Sequence, residues 1–318
     1  MATPVFLTID TELMWRHHAA GMATQAVVAR SLDPAGVGVR WQLSVLAAHG
    51  LKACFFVDPL PVALYGMDAI APTIEAILAA GQEVQLHAHP NWIGAALHDG
   101  GQAHGRFELI DLSTPEQQAV LARARDLLTA CGAPPPIAFR AGSYGANDDT
   151  IDALRALGFV YDSSHNGSAY PWPSAIGLSP ERIAPVAHRG LIEVPVTLIG
   201  TPGGGRRHFQ ICALSVSEMR AALRHAIAND HAAVTIVSHG FELANRDGTH
   251  ANRIHVRRFR ALCRMLAEQT ATLPTVHFAD RPALRLGRDD RPLPSRRMRT
   301  GWRQAQQLWS NLFEERRA

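Results

Sequence analysis

The chain has 318 residues, 47% of them hydrophobic and 19% charged, with a formal net charge of only +3. That balance supplies a sizeable core and excludes a disordered, fibrous or low-complexity protein, and the weak net charge excludes a broadly basic nucleic-acid binder. The four cysteines, Cys54, Cys131, Cys212 and Cys263, are scattered through apolar settings, so they read as buried thiols and exclude a disulfide framework or a zinc finger.

Taken in order, strand-like runs fall at 4–10, 52–57, 82–87, 136–140, 159–162, 192–198, 232–238 and 274–278, and helix-like runs lie between them at 36–49, 69–80, 115–131, 148–157, 216–229 and 252–269. Gly50, Gly81, Gly132 and Gly158 each close a helix, as expected where a chain needs a left-handed residue before turning into a strand. The helix at 115–131 has the fullest start signal: Thr114 as cap, Pro115 at the first position and Gln117 at capping-box spacing. Eight strands alternating with helices predict an α/β fold, a (β/α) barrel over residues 1–280 as one domain, followed by a basic tail at 281–318. Ten arginines against Asp289, Asp290, Glu314 and Glu315 give that tail +6, which leaves the remainder of the +3 chain at −3. The first apolar run stops at Asp10, too early for a signal peptide or a membrane span, so a cytoplasmic location is expected.

Polar residues gather at the carboxyl ends of the strands, the end at which barrels of this kind carry chemistry. Asp10 and Glu12 end the first strand, His87 and His89 the third, Arg140 the fourth, Asp162 the fifth, and Ser238 and His239 the seventh. Alternation along a strand puts His87 and His89 on one face, so two carboxylates and two imidazoles can converge on a divalent cation with groups to spare. Residues 163–190 and 199–210 read as irregular rim loops. The glycine-rich stretch at 201–207 lacks the spacing and the lysine of a phosphate-binding loop, and Ser238 lacks a nucleophile elbow.

In this order, the motifs resemble those of the polysaccharide deacetylase (NodB-homology, carbohydrate esterase) family. The segments that carry the likeness are Thr8-Ile-Asp-Thr-Glu12, Leu86-His-Ala-His-Pro90, Phe139-Arg-Ala-Gly-Ser-Tyr-Gly145, Tyr161-Asp-Ser-Ser164 and Ile236-Val-Ser-His-Gly240. The resemblance implies a distorted (β/α) barrel, a metal-dependent hydrolase acting on carbon–nitrogen bonds, and an N-acetylated sugar or glycan precursor as substrate. It also implies roles: Asp10 as catalytic base, His239 as catalytic acid, Arg140 orienting the base, and Glu12 with the histidines His87 and His89 holding a divalent metal, taken as zinc. Two positions depart from the family pattern. Asn91 stands where a second histidine is usual, so His89 is read as its substitute, and Glu12 stands where aspartate is commoner.

Several residues keep two readings. Arg140 either orients the base or forms a surface ion pair. Tyr144 either contacts the oxyanion or packs its loop, and Asp162 either supports Arg140 or His239 or starts a turn with Ser163 and Ser164. Trp92, Trp172 and Phe241 either stack on a sugar or belong to the core; His165, His188 and His208 are rim candidates. The function itself keeps two alternatives, hydrolysis of another non-peptide C–N bond and non-catalytic sugar binding. Trp302, Ala305, Leu308, Trp309, Leu312 and Phe313 recur at helical spacing from Thr300 onward, predicting a helix that either packs on the barrel or, with the arginines before it, touches an anionic membrane.

Overall fold

The computed structural model describes residues 2–95, 106–296 and Glu314. Eight strands form the main sheet: β1 Val5–Thr11, β2 Cys54–Val57, β3 Glu83–Ala88, β4 Ala138–Ala141, β5 Tyr161–Asp162, β6 Val186–His188, β7 Leu191–Glu193 and β8 Val234–His239. Their spatial order is β8-β1-β2-β3-β4-β5-β7-β6, parallel throughout except for the antiparallel β6–β7 hairpin at one edge. The sheet curls, and residues 197–211 bridge the gap back to β8. Thr197 and Thr235 exchange bonds of 3.2 and 2.9 Å, and Val237 does the same with Phe209 and Ile211 at 2.9 and 3.1 Å. This is the distorted (β/α) barrel.

Among the described residues, seven helices of nine residues or more pack outside: α1 Thr24–Leu32, α2 Val39–His49, α3 Ala71–Ala79, α4 Thr114–Ala130, α5 Asp148–Ala156, α6 Val216–Ala228 and α7 Arg253–Ala267. The main apolar core lies between them and the outer face of the sheet, and a smaller cluster of Phe6, Phe56, Tyr161, Val194 and Phe278 fills the barrel interior.

The differences from the predicted elements have local causes. The run at 192–198 is not one strand: Pro195 has no N–H to donate, and the chain leaves β7 to bond Asp162 and His165 through Val194 and Val196 before crossing to Thr235. The expected eighth strand at 274–278 makes only a bridge, Thr275 to Val5, because it crosses the amino ends of the strands. There Phe278 stacks on Phe6 at 4.4 Å and plugs the barrel floor. The β6–β7 hairpin brings the sheet to eight. Helix α4 is capped one residue earlier than expected: the N–H and hydroxyl of Ser113 both donate to Glu116, at 2.8 and 2.6 Å, while Gln117 is buried against Leu112 and Thr150. Helix α1 was not foreseen, since its N-cap position is Ala23 and offers no capping side chain.

Residues 281–296 lie along the barrel. The Gly287 N–H donates to Pro185, the Ala232 N–H to the buried Asp290, and Gly200 to Leu293. The helix expected from Thr300 lies outside the described residues; Glu314 accepts a 3.3 Å bond from the Arg253 N–H at the start of α7. Among the described residues no helix is long and apolar enough to cross a membrane.

The floor depends on Glu83. Its carboxylate accepts the Phe278 and Ala279 N–H groups at 2.8 and 2.7 Å and the Gln85 amide at 2.7 Å. Glu83→Ala leaves those donors without an acceptor, and we expect a loss of roughly 2 kcal/mol in urea unfolding; an unchanged midpoint would show that the plug holds without it.

Candidate active site

Register brings the strand-end residues together. Asp10 pairs with His239 on one side and Phe56 on the other, and His87 pairs with Arg140. Arg140 is 0% exposed, so the surface ion-pair reading is wrong. Its Nη1 donates to Asp10 at 2.8 Å and to the Thr8 hydroxyl at 2.6 Å, its Nη2 and Nε go to the side chain and carbonyl of Ser163, and its plane lies 4.6 Å over the Phe56 ring. A guanidinium so fully bonded fixes the orientation of Asp10.

On the opposite side of Asp10, His239 Nε2 stands 3.6 Å from its second oxygen, and His239 Nδ1 lies 3.2 Å from the Glu242 carboxylate as an ion pair. Burial pulls His239 down, but Glu242, Asp10 and Glu12 outweigh it and push the imidazole up to about 9. The Glu242 carboxylate also accepts from Gln210 and, at 3.2 Å, from Cys212.

Glu12, His87 and His89 form the third part. Their ligand atoms all lie within 4.8 Å of one another. His87 Nδ1 donates to the Arg140 carbonyl at 2.7 Å, which leaves Nε2 facing Glu12 at 3.7 Å, and His89 Nε2 contacts Glu12 directly. Burial alone would raise Glu12, yet the two imidazoles hold it well below the usual range. His89, lowered by burial, is driven up to about 10, chiefly by Glu12. A strongly anionic carboxylate facing two imidazole nitrogens suits a divalent cation, and two nitrogens with one oxygen suit zinc with an open position. Gly142 makes room for this: a Cβ there would collide with the His89 ring.

The remaining sequence candidates separate. Trp92 is 2% exposed, locked edge-on among Trp15, His18 and Tyr65, so it presents no face to a sugar; the core reading is correct. Asp162 is fully buried and takes the turn reading, accepting the Ser164 N–H and hydroxyl at 3.1 and 2.7 Å, with Glu193 behind it. Tyr144 sits at φ 62°, its ring against His208 and its hydroxyl buried with no hydrogen-bond partner. Phe241 packs 4.8 Å from the His239 ring, and Trp172 is exposed at 64%. His165 bonds the Ser179 carbonyl and His188 bonds Asp148, which ties both into the rim itself.

Sequence reasoning missed Glu242, Gln210 and Asp58. Glu242 and Gln210 lie in short irregular segments with no motif. Asp58 follows β2 as Asp10, His87 and Arg140 mark other strands, so the strand-end rule would have found it had the run at 52–57 been carried one residue further. Asp58 is fully buried; burial pushes its carboxyl up to about 6 against the opposing pull of His89 and His87.

No family model matches the chain, and no curated protein matches it. Solved structures do. A provisionally assigned polysaccharide deacetylase from Mycobacterium smegmatis superposes with a TM-score of 0.57 over 91% of this chain and 95% of its own, at 18% identity. A family 4 carbohydrate esterase from Streptomyces lividans, solved with acetate, gives 0.46 over 90% and 98% at 13% identity. A 4-alpha-glucanotransferase from Thermococcus litoralis gives 0.55 over 90% of this chain and 41% of its own, at 11%. The fold is therefore the distorted barrel that polysaccharide deacetylases adopt. The chain resembles that family in motif order and in fold, while the glucanotransferase shows that the fold alone does not name a reaction.

Zinc content of the purified protein tests the cluster. His87→Ala and His89→Ala should each lower occupancy at least about tenfold at limiting metal, and Asn91→Ala should leave it intact. Gly142→Ala should act like a mild His89 variant by displacing its ring.

Proposed function

We propose that the protein is a metal-dependent hydrolase that removes N-acetyl groups from an amino sugar or glycan precursor. The observation that carries this is the convergence of three units on one strand-end site: the Glu12–His87–His89 triangle, the Asp10–Arg140 pair and the His239–Glu242 pair.

An acetamide resists hydrolysis because its carbonyl is a poor electrophile and its amine a poor leaving group. A divalent cation held by Glu12, His87 and His89 supplies Lewis acidity, making water easier to deprotonate and countering charge on the carbonyl oxygen. Asp10, held through one oxygen by Arg140, has its other oxygen available to take the proton of the attacking water. The water oxygen bonds to the carbonyl carbon, and the C–N bond breaks as His239 Nε2 gives its proton to the nitrogen, yielding acetate and a free amine. Glu242 keeps His239 protonated, since its carboxylate stands 3.2 Å from Nδ1 and is the main charge raising the imidazole, and Nε2 carries the transferable proton. The buried Tyr144 hydroxyl is a donor with no partner in the protein, which supports a contact to the developing oxyanion.

Acetate release from an N-acetylhexosamine oligomer is the test. Asp10→Asn and His239→Ala should each cost about 10²–10⁴-fold in kcat while zinc content is unchanged. Equal rates in wild type and both variants would remove the acid–base assignment.

The pH profile follows from His239. An acid must be protonated to act, so activity should be present below about 9 and fall as pH rises through that value. Glu242→Gln removes the main raising charge, and the alkaline limb should then move toward the ordinary histidine range.

A further inference from the structure

Register places a fourth group beside the metal ligands. Thr11 pairs with Val57, Val57 with Leu86 and His87 with Arg140, so the next row across the sheet runs Glu12, Asp58, His87, Arg140. The chain holds this register past the end of β2, because the Asp58 N–H donates to the Thr11 carbonyl at 3.0 Å. Residues in one row of a parallel sheet project to one face. In backbone register Asp58 therefore lies between Glu12 and His87; its side chain is 0% exposed and stands outside the group of ligand atoms that lie within 4.8 Å of one another. One of its oxygens, Oδ1, accepts the Leu60 N–H at 3.0 Å; the other, Oδ2, is buried with no hydrogen-bond partner. A buried carboxylate oxygen left without a donor is costly, and a cation shared with its row neighbours is the partner that removes the cost.

We infer that Asp58 is a fourth protein ligand of the metal centre, its Oδ2 adding a second carboxylate to Glu12, His87 and His89. The inference rests on the metal centre proposed above and changes its chemistry. Two imidazoles and two carboxylates with room for water make a site of five or more positions, harder in character than a three-ligand zinc site and better suited to cobalt or manganese as well as zinc.

Cobalt(II) titration of the metal-free protein, followed by d–d absorption, tests this without any assay of turnover. Asp58→Asn keeps a carbonyl oxygen for the Leu60 N–H, so the metal-free variant should melt as the wild type does. Its cobalt affinity should fall at least about tenfold. Its absorption should strengthen, because a site reduced toward tetrahedral geometry absorbs more intensely than a five-coordinate one. Unchanged affinity, or weaker binding with an unchanged spectrum, would overturn the assignment. Cobalt uptake that needs His87 but not Asp58 would sink this inference alone, whereas wild-type protein that takes up no cobalt would sink the metal centre with it. Should Asp58→Asn fail to fold, a cobalt-loaded crystal structure decides: Oδ2 at about 2.2 Å from the ion supports the assignment, and Oδ2 beyond bonding distance refutes it.

Discussion

The buried Asp10–Arg140 pair is the interaction on which the rest of the site depends. A guanidinium at 0% exposure is tolerable only because its donors are taken by Asp10, Thr8 and Ser163 and its face lies on Phe56. Pairs of this kind add little net stability against an apolar substitute, but removing one partner leaves a stranded charge at a cost of about 3–5 kcal/mol. The same arginine offers its backbone carbonyl to His87 Nδ1, which sets that imidazole for its task. One residue on β4 therefore orients both Asp10, the proposed base, and His87, a proposed metal ligand. The two functions are mechanically joined, and a change at Arg140 cannot be read as a change in the base alone.

Around that pair the barrel is graded along its axis. Phe278, Phe6, Phe56 and Tyr161 fill the amino end with rings, with Glu83 holding the crossing segment in place. The carboxyl end carries the titratable groups. Carboxylates and imidazoles are interleaved there: Glu12 with His87 and His89, and Asp10 and Glu242 on either side of His239. Each of these charges has an opposite charge beside it, which is how several ionisable groups share one dry site. The arrangement also divides labour, since Glu242 raises His239 while Arg140 occupies one oxygen of Asp10.

The departures from the family pattern make sense in this setting. The second histidine of the cluster is His89, two residues nearer along the chain than the position Asn91 holds, and Gly142 leaves the space its ring needs. The longer Glu12 reaches both imidazoles. Glu12, His87 and His89 thus converge although position 91 carries no histidine.

The barrel was legible in the chain, because alternating apolar runs and glycine-closed helices admit few other packings, and so was most of the candidate site, because strand-end position is a periodic property. Asp10, Glu12, His87, His89, Arg140 and His239 were all legible that way. Only the tertiary structure decided which side chains face each other across strands. Asp162 ends a strand and Trp92 follows one, yet they turn into a local bend and an aromatic cluster, since their nearest partners, Ser164 and Trp15, lie outside any periodic pattern. Glu242, Gln210 and Asp58 enter the site through register and loop closure, which depend on residues far away in sequence. Pairing across a sheet is a non-local choice, and no local pattern of residues encodes its outcome.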